Sequence, residues 1–307
     1  MPKANCPDIR YMSTRHYREI DPELVGAFEP IDLDRMDSIR LMNRIDTKYV
    51  TTSFVLDAIL RKSFACGFMM FVSEGVRVQA YDSIYFDTPD LRMFMDHRNS
   101  RLVRQKVRTR IYSDSDLCFL EVKSKNNHSR TKKKRISIPP EEFTDFRGDN
   151  KCSDFLTKIT DYHAENLSPS VETSFSRITL VDKDLSERIT IDSDICFRNM
   201  RNGVTSGLGD VVIIELKRDG RKRSSMQDIL LSLRVKPMRI SKYCMGVVLT
   251  DPQCRPGRFL EKIRACDKLC SSQRPTAALQ LVIFELFNCL IQWKKLNFSE
   301  SRTIPNR

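Results

Sequence analysis

Apolar and charged residues alternate along several short segments of this chain. The pattern is clearest at residues 106–110 (KVRTR), 119–125 (FLEVKSK), 188–192 (RITID) and 213–217 (IIELK). Side chains two residues apart lie on the same face of a β-strand. Each segment therefore predicts a strand with one charged face and one apolar face, and the apolar faces suit the buried side of an antiparallel sheet.

The whole chain predicts an α+β fold, because the strands do not alternate regularly with helices. Predicted strands cover residues 44–50, 76–86, 105–112, 118–124, 133–138, 171–181, 188–195 and 210–217. One short helix is predicted to begin at 21–23 and another helix directly after 52–53. Further helices are predicted near 91–95, from 139 to about 161, and at 224–233, 241–249 and 257–269. An amphipathic helix is predicted at 277–293, where polar residues interrupt an apolar stretch that is too short to span a membrane.

The overall charge favours a polyanionic partner. Among the 307 residues, 52 Lys and Arg face 40 Asp and Glu, for a net charge of +12. Nucleic acid, an anionic membrane surface and phosphate chains all fit this balance. The 10 cysteines include no CxxC pair, and residues 1–12 lack an apolar signal core. We therefore expect reduced thiols in a cytoplasmic protein, with peripheral attachment at the inner membrane left open.

The positions of the charges are more informative than their number. A solvated sheet face explains any one charged strand, but here several strands each carry paired basic residues, usually with a carboxylate between them. Closing these strands into a barrel would line a channel with positive charge, which a polyanion and metal ions would have to neutralise. The charges on the predicted faces are Arg44, Asp46, Lys48, Lys106, Arg108, Arg110, Glu121, Lys123, Lys125, Lys133, Arg135, Arg188, Asp192, Glu215 and Lys217.

These segments together resemble a known family. The series RIDTKY, YFDTPDL, HRNSRLVRQKVRTRIY, FLEVKSKNN–RTKKKR, RITID, IIELK and RISKYCMG is similar to the polyphosphate-polymerase domain of the vacuolar transporter chaperone (VTC) family, especially its soluble bacterial forms. That family belongs to the triphosphate tunnel metalloenzymes, or CYTH superfamily. The resemblance covers residues 35–268, and it leaves 1–34 as an N-terminal lead and 269–307 as a C-terminal amphipathic helix and tail.

The resemblance implies an eight-stranded antiparallel β-tunnel that uses Mn²⁺ or Mg²⁺ to build inorganic polyphosphate from ATP. Phosphoryl transfer depends mainly on positioning and on neutralising charge, which suits arginines, lysines and a metal-bound carboxylate. Catalytic roles are implied for Lys48, Arg108, Arg110, Lys123, Lys133, Arg177, Arg188 and Lys242. Substrate binding is expected of Arg44, Lys106, Lys125, Arg135, Lys217, Arg239 and Ser241, and metal binding of Glu215.

One strand departs from the wider superfamily. The triphosphatase branch has a Glu-x-Glu-x-Lys strand whose glutamates hold metal, whereas this chain has Arg44, Asp46 and Lys48 in those positions. Fewer metal carboxylates favour the polymerase branch over the hydrolases. Asp46 could bind metal or form salt bridges with basic residues, and Glu121 has the same two options.

Three other functions remain as alternatives. A tunnel triphosphatase or polyphosphatase would release orthophosphate, and a non-catalytic sensor would bind polyphosphate or inositol polyphosphate. Nucleic-acid binding by the basic run 130–135 is disfavoured, because no aromatic residues for base stacking lie within it. We also expect a membrane-protein partner, with residues 277–296 as its hypothetical docking segment.

Overall fold

The computed structural model describes residues 20–37, 44–112, 117–127, 131–220 and 222–272. Within them it contains 11 strands in one sheet. These are β1 (Glu29–Ile31), β2 (Arg44–Thr52), β3 (Met69–Phe71), β4 (Gln79–Asp87), β5 (Arg104–Tyr112), β6 (Leu117–Lys125), β7 (Thr131–Ile138), β8 (Ser168–Val181), β9 (Glu187–Asn199), β10 (Thr205–Gly207) and β11 (Val211–Asp219). The helices are α1 (Pro22–Ala27), α2 (Leu33–Asp37), α3 (Ser53–Ala65), α4 (Arg92–Arg98), α5 (Asn150–Ile159), α6 (Ser225–Ser232), α7 (Lys242–Thr250) and α8 (Leu260–Ser272).

The predicted α+β class is confirmed, and all eight predicted strands are present. They form an antiparallel path in the order β2-β11-β9-β8-β4-β5-β6-β7. The sequence did not predict β1 and β3, a parallel pair that joins the sheet through β8, or the short β10. Within the described ranges β7 pairs only with β6, and no ladder joins it to β2. Closure of the strands into a tunnel therefore stays a prediction.

The apolar face of the sheet carries the core, as the alternation predicts. Helices α1, α3 and α6 cover β8, β9 and β11, while α5 and the segment after it cover β4 to β7. The predicted apolar positions Val107, Leu120, Val122, Ile189, Ile191, Ile214 and Leu216 are all buried, and Ile136 is half-buried. Burying this face commits the opposite face of each strand to the charged residues.

The helix predictions are mostly confirmed, with one correction. Asp21 caps α1 by accepting hydrogen bonds from two backbone amides, and Pro22 is its first residue. The helix predicted from 139 to about 161 is wrong in its first half. Only a 3₁₀ turn forms at Pro140–Glu142, and α5 begins at Asn150 because the Asp149 side chain caps it by accepting from the Lys151 amide.

The predicted helix at 277–293 lies outside the described residues. Among the helices of the described chain, none is long and apolar enough to cross a membrane.

Helix α7 packs on the charged side of the sheet. It contacts β8 and β9, and the Tyr243 ring stacks on Tyr85 at 5.0 Å. The Tyr243 hydroxyl donates to Asp87, whose carboxylate also accepts the Met93 and Phe94 amides of α4. The first residues of α7 are thereby held against the charged face.

Gly246 sets how closely α7 can approach the sheet. A Cβ at this position would lie 2.6 Å from Val171 Cγ1 and 2.9 Å from Phe197 Cδ1. We therefore predict that Gly246→Ala overpacks this contact and lowers the free energy of unfolding by about 1–3 kcal/mol. Urea denaturation would measure the loss.

Gly26, in α1, provides the matched control, since a Cβ there meets nothing within 4 Å. Gly26→Ala should be neutral or slightly stabilising, because alanine is the better helix former. Equal stability of the two variants would contradict the close approach of α7.

Candidate functional site

Three carboxylates of the charged face, those of Glu121, Asp192 and Glu215, are each shared between two cations. The most buried is Glu121, which is fully inaccessible to solvent. Its Oε2 accepts from Arg108 Nε at 2.8 Å and its Oε1 lies 3.0 Å from Lys133 Nζ. Burial raises the pKa of Glu121, but the charges of Arg108, Arg110 and Lys133 outweigh burial and hold this pKa well below its usual range. Glu121 is therefore an ionised ion-pair partner.

The second shared carboxylate belongs to Asp192 in β9. Arg177 donates to both of its oxygens from one edge of the guanidinium, with Nε at 2.6 Å and Nη2 at 2.9 Å, and Lys242 of α7 also donates to it. Asp192 is buried, and this paired arrangement fixes the guanidinium plane. Burial lowers the pKa of Lys242 to about 8. The negative charge of Asp192 opposes this shift, but the nearby positive charge of Arg177 partly cancels that opposition.

The third shared carboxylate, Glu215 in β11, is the most open of the three. Its two oxygens lie 3.5 Å from Lys48 Nζ and 3.4 Å from Lys217 Nζ, and 23% of its side chain is exposed. Burial raises the pKa of Glu215, but Lys48, Lys217 and Lys123 outweigh burial and lower this pKa well below its usual value. Glu215 is thus ionised, accessible and loosely held.

These properties decide which carboxylate fits a metal ion. A hard cation such as Mg²⁺ binds through one or two carboxylates and takes its other ligands from water and phosphate oxygens. Glu215 fits that role, whereas both Glu121 and Asp192 are occupied by close cations. Among the described residues, the only cluster of three possible protein ligands is Glu142, Asp149 and Cys152, near α5 and away from the charged face.

Lysines lie side by side across the neighbouring strands β5, β6 and β7. Lys106, Lys123 and Lys133 are paired in register, and Lys106 Nζ donates to Ser241 Oγ at 2.8 Å. The charge of Arg108, followed by burial, lowers the pKa of Lys123 well below its usual value, and burial also lowers the pKa of Lys106. The protein's own carboxylates therefore do not balance the positive charge of this row.

Aromatic rings support the arginines of the face. Tyr81 stacks on Phe175 at 5.4 Å, and the guanidinium groups of Arg110 and Arg177 lie 5.1 and 4.8 Å from the centre of the Tyr81 ring. Arg110 Nε also donates to Ser83 Oγ at 3.0 Å. These contacts hold two like-charged side chains close together.

The structure brings most of the predicted site residues to this face. Arg188 and Lys217 are half-buried partners in register across β9 and β11. Lys125 is half-buried. Burial lowers its pKa, and the nearby charges of Arg104 and Arg239 lower this pKa further.

The remaining predicted residues are more open. Arg239 and Arg135 are exposed, and Arg135 stacks over Phe119 at 4.4 Å. Asp46 is exposed; Arg44 pairs in register with Asp219, and its side chain is outside the described part.

Sequence reasoning missed Tyr81, Tyr85 and Phe175 as parts of the site, and it gave Asp192 no role. The alternation in β4 was the signal for Tyr81 and Tyr85, since it places them on one face with Ser83. Alternation in 188–192 put Asp192 on a charged face but did not indicate its partners. A two-residue period predicts which way a side chain points but not what it contacts. The sequence therefore did not indicate that these rings would lie against guanidinium groups.

A long antiparallel sheet with helices on its apolar face and a cation-rich opposite face fits the triphosphate tunnel class, to which VTC domains belong. The family model described as VTC domain matches residues 43–250. This match covers more than half of the chain, and the protein belongs to that family.

A comparison with curated proteins finds no match. Among solved structures, a proposed adenylate cyclase from Bacillus halodurans is 14% identical over 65% of this chain and 96% of its own, with a TM-score of 0.42. A proposed adenylyl cyclase from Hippeastrum, described as having a dominant triphosphatase activity, is 13% identical over 66% of this chain and 94% of its own, with a TM-score of 0.42. Likeness at this distance says nothing about activity.

The lowered lysine pKa values predict that polyanion binding takes up protons. Bound phosphate favours the ammonium form, so it would raise the pKa of Lys242 from about 8 towards the usual value of about 10.4. Near pH 9, Lys242 is mainly neutral in the free protein and would be charged in the complex. Near pH 7 it is charged in both states, so its uptake should vanish. Calorimetry with tripolyphosphate in buffers of different ionisation enthalpy would measure the uptake.

Lys242→Arg is the matched control, because arginine stays charged throughout this range. Tyr85→Phe is a second control, because Tyr85 would contribute to the same proton uptake. Burial raises the pKa of Tyr85, but Arg108, Lys106 and Arg110 outweigh burial and lower this pKa to about 8. An anion would raise this pKa as well, again with proton uptake. The same uptake in wild type and in Lys242→Arg would contradict the role of Lys242.

Proposed function

We propose that the protein is a metal-dependent polyphosphate polymerase that transfers the γ-phosphate of ATP to a growing inorganic polyphosphate chain. One observation carries the proposal: the row of Lys106, Lys123 and Lys133 beside Arg108 and Arg110 has more positive charge than the carboxylates of the face can neutralise. A phosphate chain supplies regularly spaced negative charges along such a row. Membership of the VTC domain family supports the same substrate class.

In the proposed reaction, an oxygen of the chain's terminal phosphate attacks the γ-phosphorus of ATP. The new P–O bond lengthens the chain by one phosphate, and cleavage of the bond to the β-phosphate oxygen releases ADP. The attacking oxygen is already anionic, so no protein base has to remove a proton. The main requirement on the protein is to hold the two polyanions in line and neutralise their charge.

The arginines and lysines of the face divide this work. Arg108, Arg110 and Arg177 are buried or nearly so, and hydrogen bonds and aromatic rings fix their positions. Guanidinium groups held in this way are suited to bind phosphate oxygens. Lys48, Lys133, Lys242 and the half-buried Arg188 surround them as further cations. Mn²⁺ or Mg²⁺ held by Glu215 would neutralise phosphate charge between the reactants.

Two features of the architecture belong to this proposal. The catalytic domain would extend over residues 35–268, slightly beyond the family match, with 1–34 and 269–307 as flanking segments. The two edge strands of the sheet, β2 and β7, would approach each other around the substrate to complete the tunnel.

Glu215→Gln tests the proposal. The variant removes the most accessible of the three shared carboxylates described above while keeping its shape, so we expect chain synthesis to fall by about 100-fold or more. The assay incubates the protein with ATP, Mn²⁺ and a short polyphosphate primer and resolves the products on a gel stained for polyphosphate. Glu261→Gln, the same change at an exposed position of α8, should leave synthesis unchanged.

The products separate the alternatives. Release of orthophosphate without chain growth would assign the protein to the hydrolases of the same fold. If the protein binds polyphosphate tightly, forms neither product, and binds equally well as Glu215→Gln, it is a non-catalytic sensor. Equal synthesis by wild type and Glu215→Gln would refute the metal role of Glu215.

A further inference from the structure

A groove of about 500 Å³ lies on the apolar side of the sheet, between strands β5 to β7 and the C-terminal end of α5. This is the side opposite Arg108 and Lys123, so the groove is separate from the charged face. Its volume suits a small molecule. Its lining includes Gln105, Ser124, Lys132, Lys134, Lys158 and Asp161.

The groove is built on a polar row within an otherwise apolar surface. Gln105, Ser124 and Lys132 lie side by side in register across β5, β6 and β7. Two positions further along β5 and β6 on the same face, Val107 and Val122 are buried in the core. The change from valines to this polar row marks the point where the core ends and the groove begins.

The three lysines of the groove make no ion pair with any residue of the described chain. Asp161 is the one carboxylate in the lining, so the groove has excess positive charge. Two carbonyls at the C-terminal end of α5 are already bound by other groups, so the lysines are not needed to satisfy them. Gln105 Nε2 donates to Ile159 O at 3.3 Å, and the Thr160 amide donates to Leu156 O at 2.8 Å.

Gln105 lines the groove but offers it no acceptor. Its Nε2 binds Ser124 Oγ and Ile159 O, which fixes the orientation of the amide. Its Oε1 is buried, without a hydrogen-bond partner, so a ligand in the groove does not reach it. Lysines on an edge strand also discourage sheet pairing, but that role does not require a groove.

We propose that this groove is a second oxyanion site, which binds one phosphate group. The ammonium groups of Lys132, Lys134 and Lys158 and the hydroxyl of Ser124 would donate to the phosphate oxygens. Orthophosphate and the end of a phosphate chain share this chemistry, and binding does not depend on the proposed polymerase activity.

Backbone amide NMR tests the site with orthophosphate and tripolyphosphate as probes. In the wild type we expect saturable shifts of the amides of residues 157–161 and of Ser124. Lys132→Gln/Lys134→Gln should abolish these shifts. Lys62→Gln/Lys183→Gln removes the same charge at two exposed positions outside the groove, and it should leave them unchanged.

The amides of Glu215 and Lys217 report separately on the charged face. If tripolyphosphate still shifts them in Lys132→Gln/Lys134→Gln, the variant is folded and the two sites are independent. Groove shifts with both probes assign a site for free phosphate, and shifts with tripolyphosphate alone assign a site for chains. The proposal is wrong if the groove amides do not shift in the wild type, shift equally in the groove variant, or are lost together with those of the charged face.

Discussion

An excess of positive charge on one face of a largely buried sheet is the constraint on which the rest of the structure depends. Glu121, Asp192 and Glu215 are each shared between two cations, so no carboxylate neutralises its neighbours fully. Desolvated like charges are unfavourable unless hydrogen bonds and counter-charges hold them. The apolar opposite face must therefore supply the stability that the charged face consumes, which explains the helices packed along most of its strands.

The cations of the face fall into two physical groups. Arg108 and Arg177 are locked by carboxylates, and guanidinium groups stay charged at every relevant pH. Lys106, Lys123 and Lys242 have lowered pKa values, so their charge can respond to an arriving anion. The arginines thus provide fixed geometry, while the lysines limit the repulsion that the free protein must tolerate.

The two-residue period predicted the strands and the orientation of their side chains, because local backbone geometry alone determines both. It could not predict contacts between distant segments. Tyr243 reaches Asp87, and Lys242 reaches Asp192, through the docking of α7 on the charged side; Gly246 permits that docking, but its spacing gives no signal of it. The first half of the predicted 139–161 helix failed for a local reason, since Asp149 caps the helix that starts after it.

Strand β7 shows why a run of like charges in sequence need not behave as one charged tail. Residues 132–135 are three lysines and an arginine, but alternation puts Lys133 on the face of Glu121 and puts Lys132 and Lys134 in the groove beneath α5. Charges on one face are then separated by about 6.6–6.8 Å, twice the rise per residue of a strand. Neighbours in sequence point to opposite sides of the sheet, so the strand divides a costly run into two separate basic surfaces.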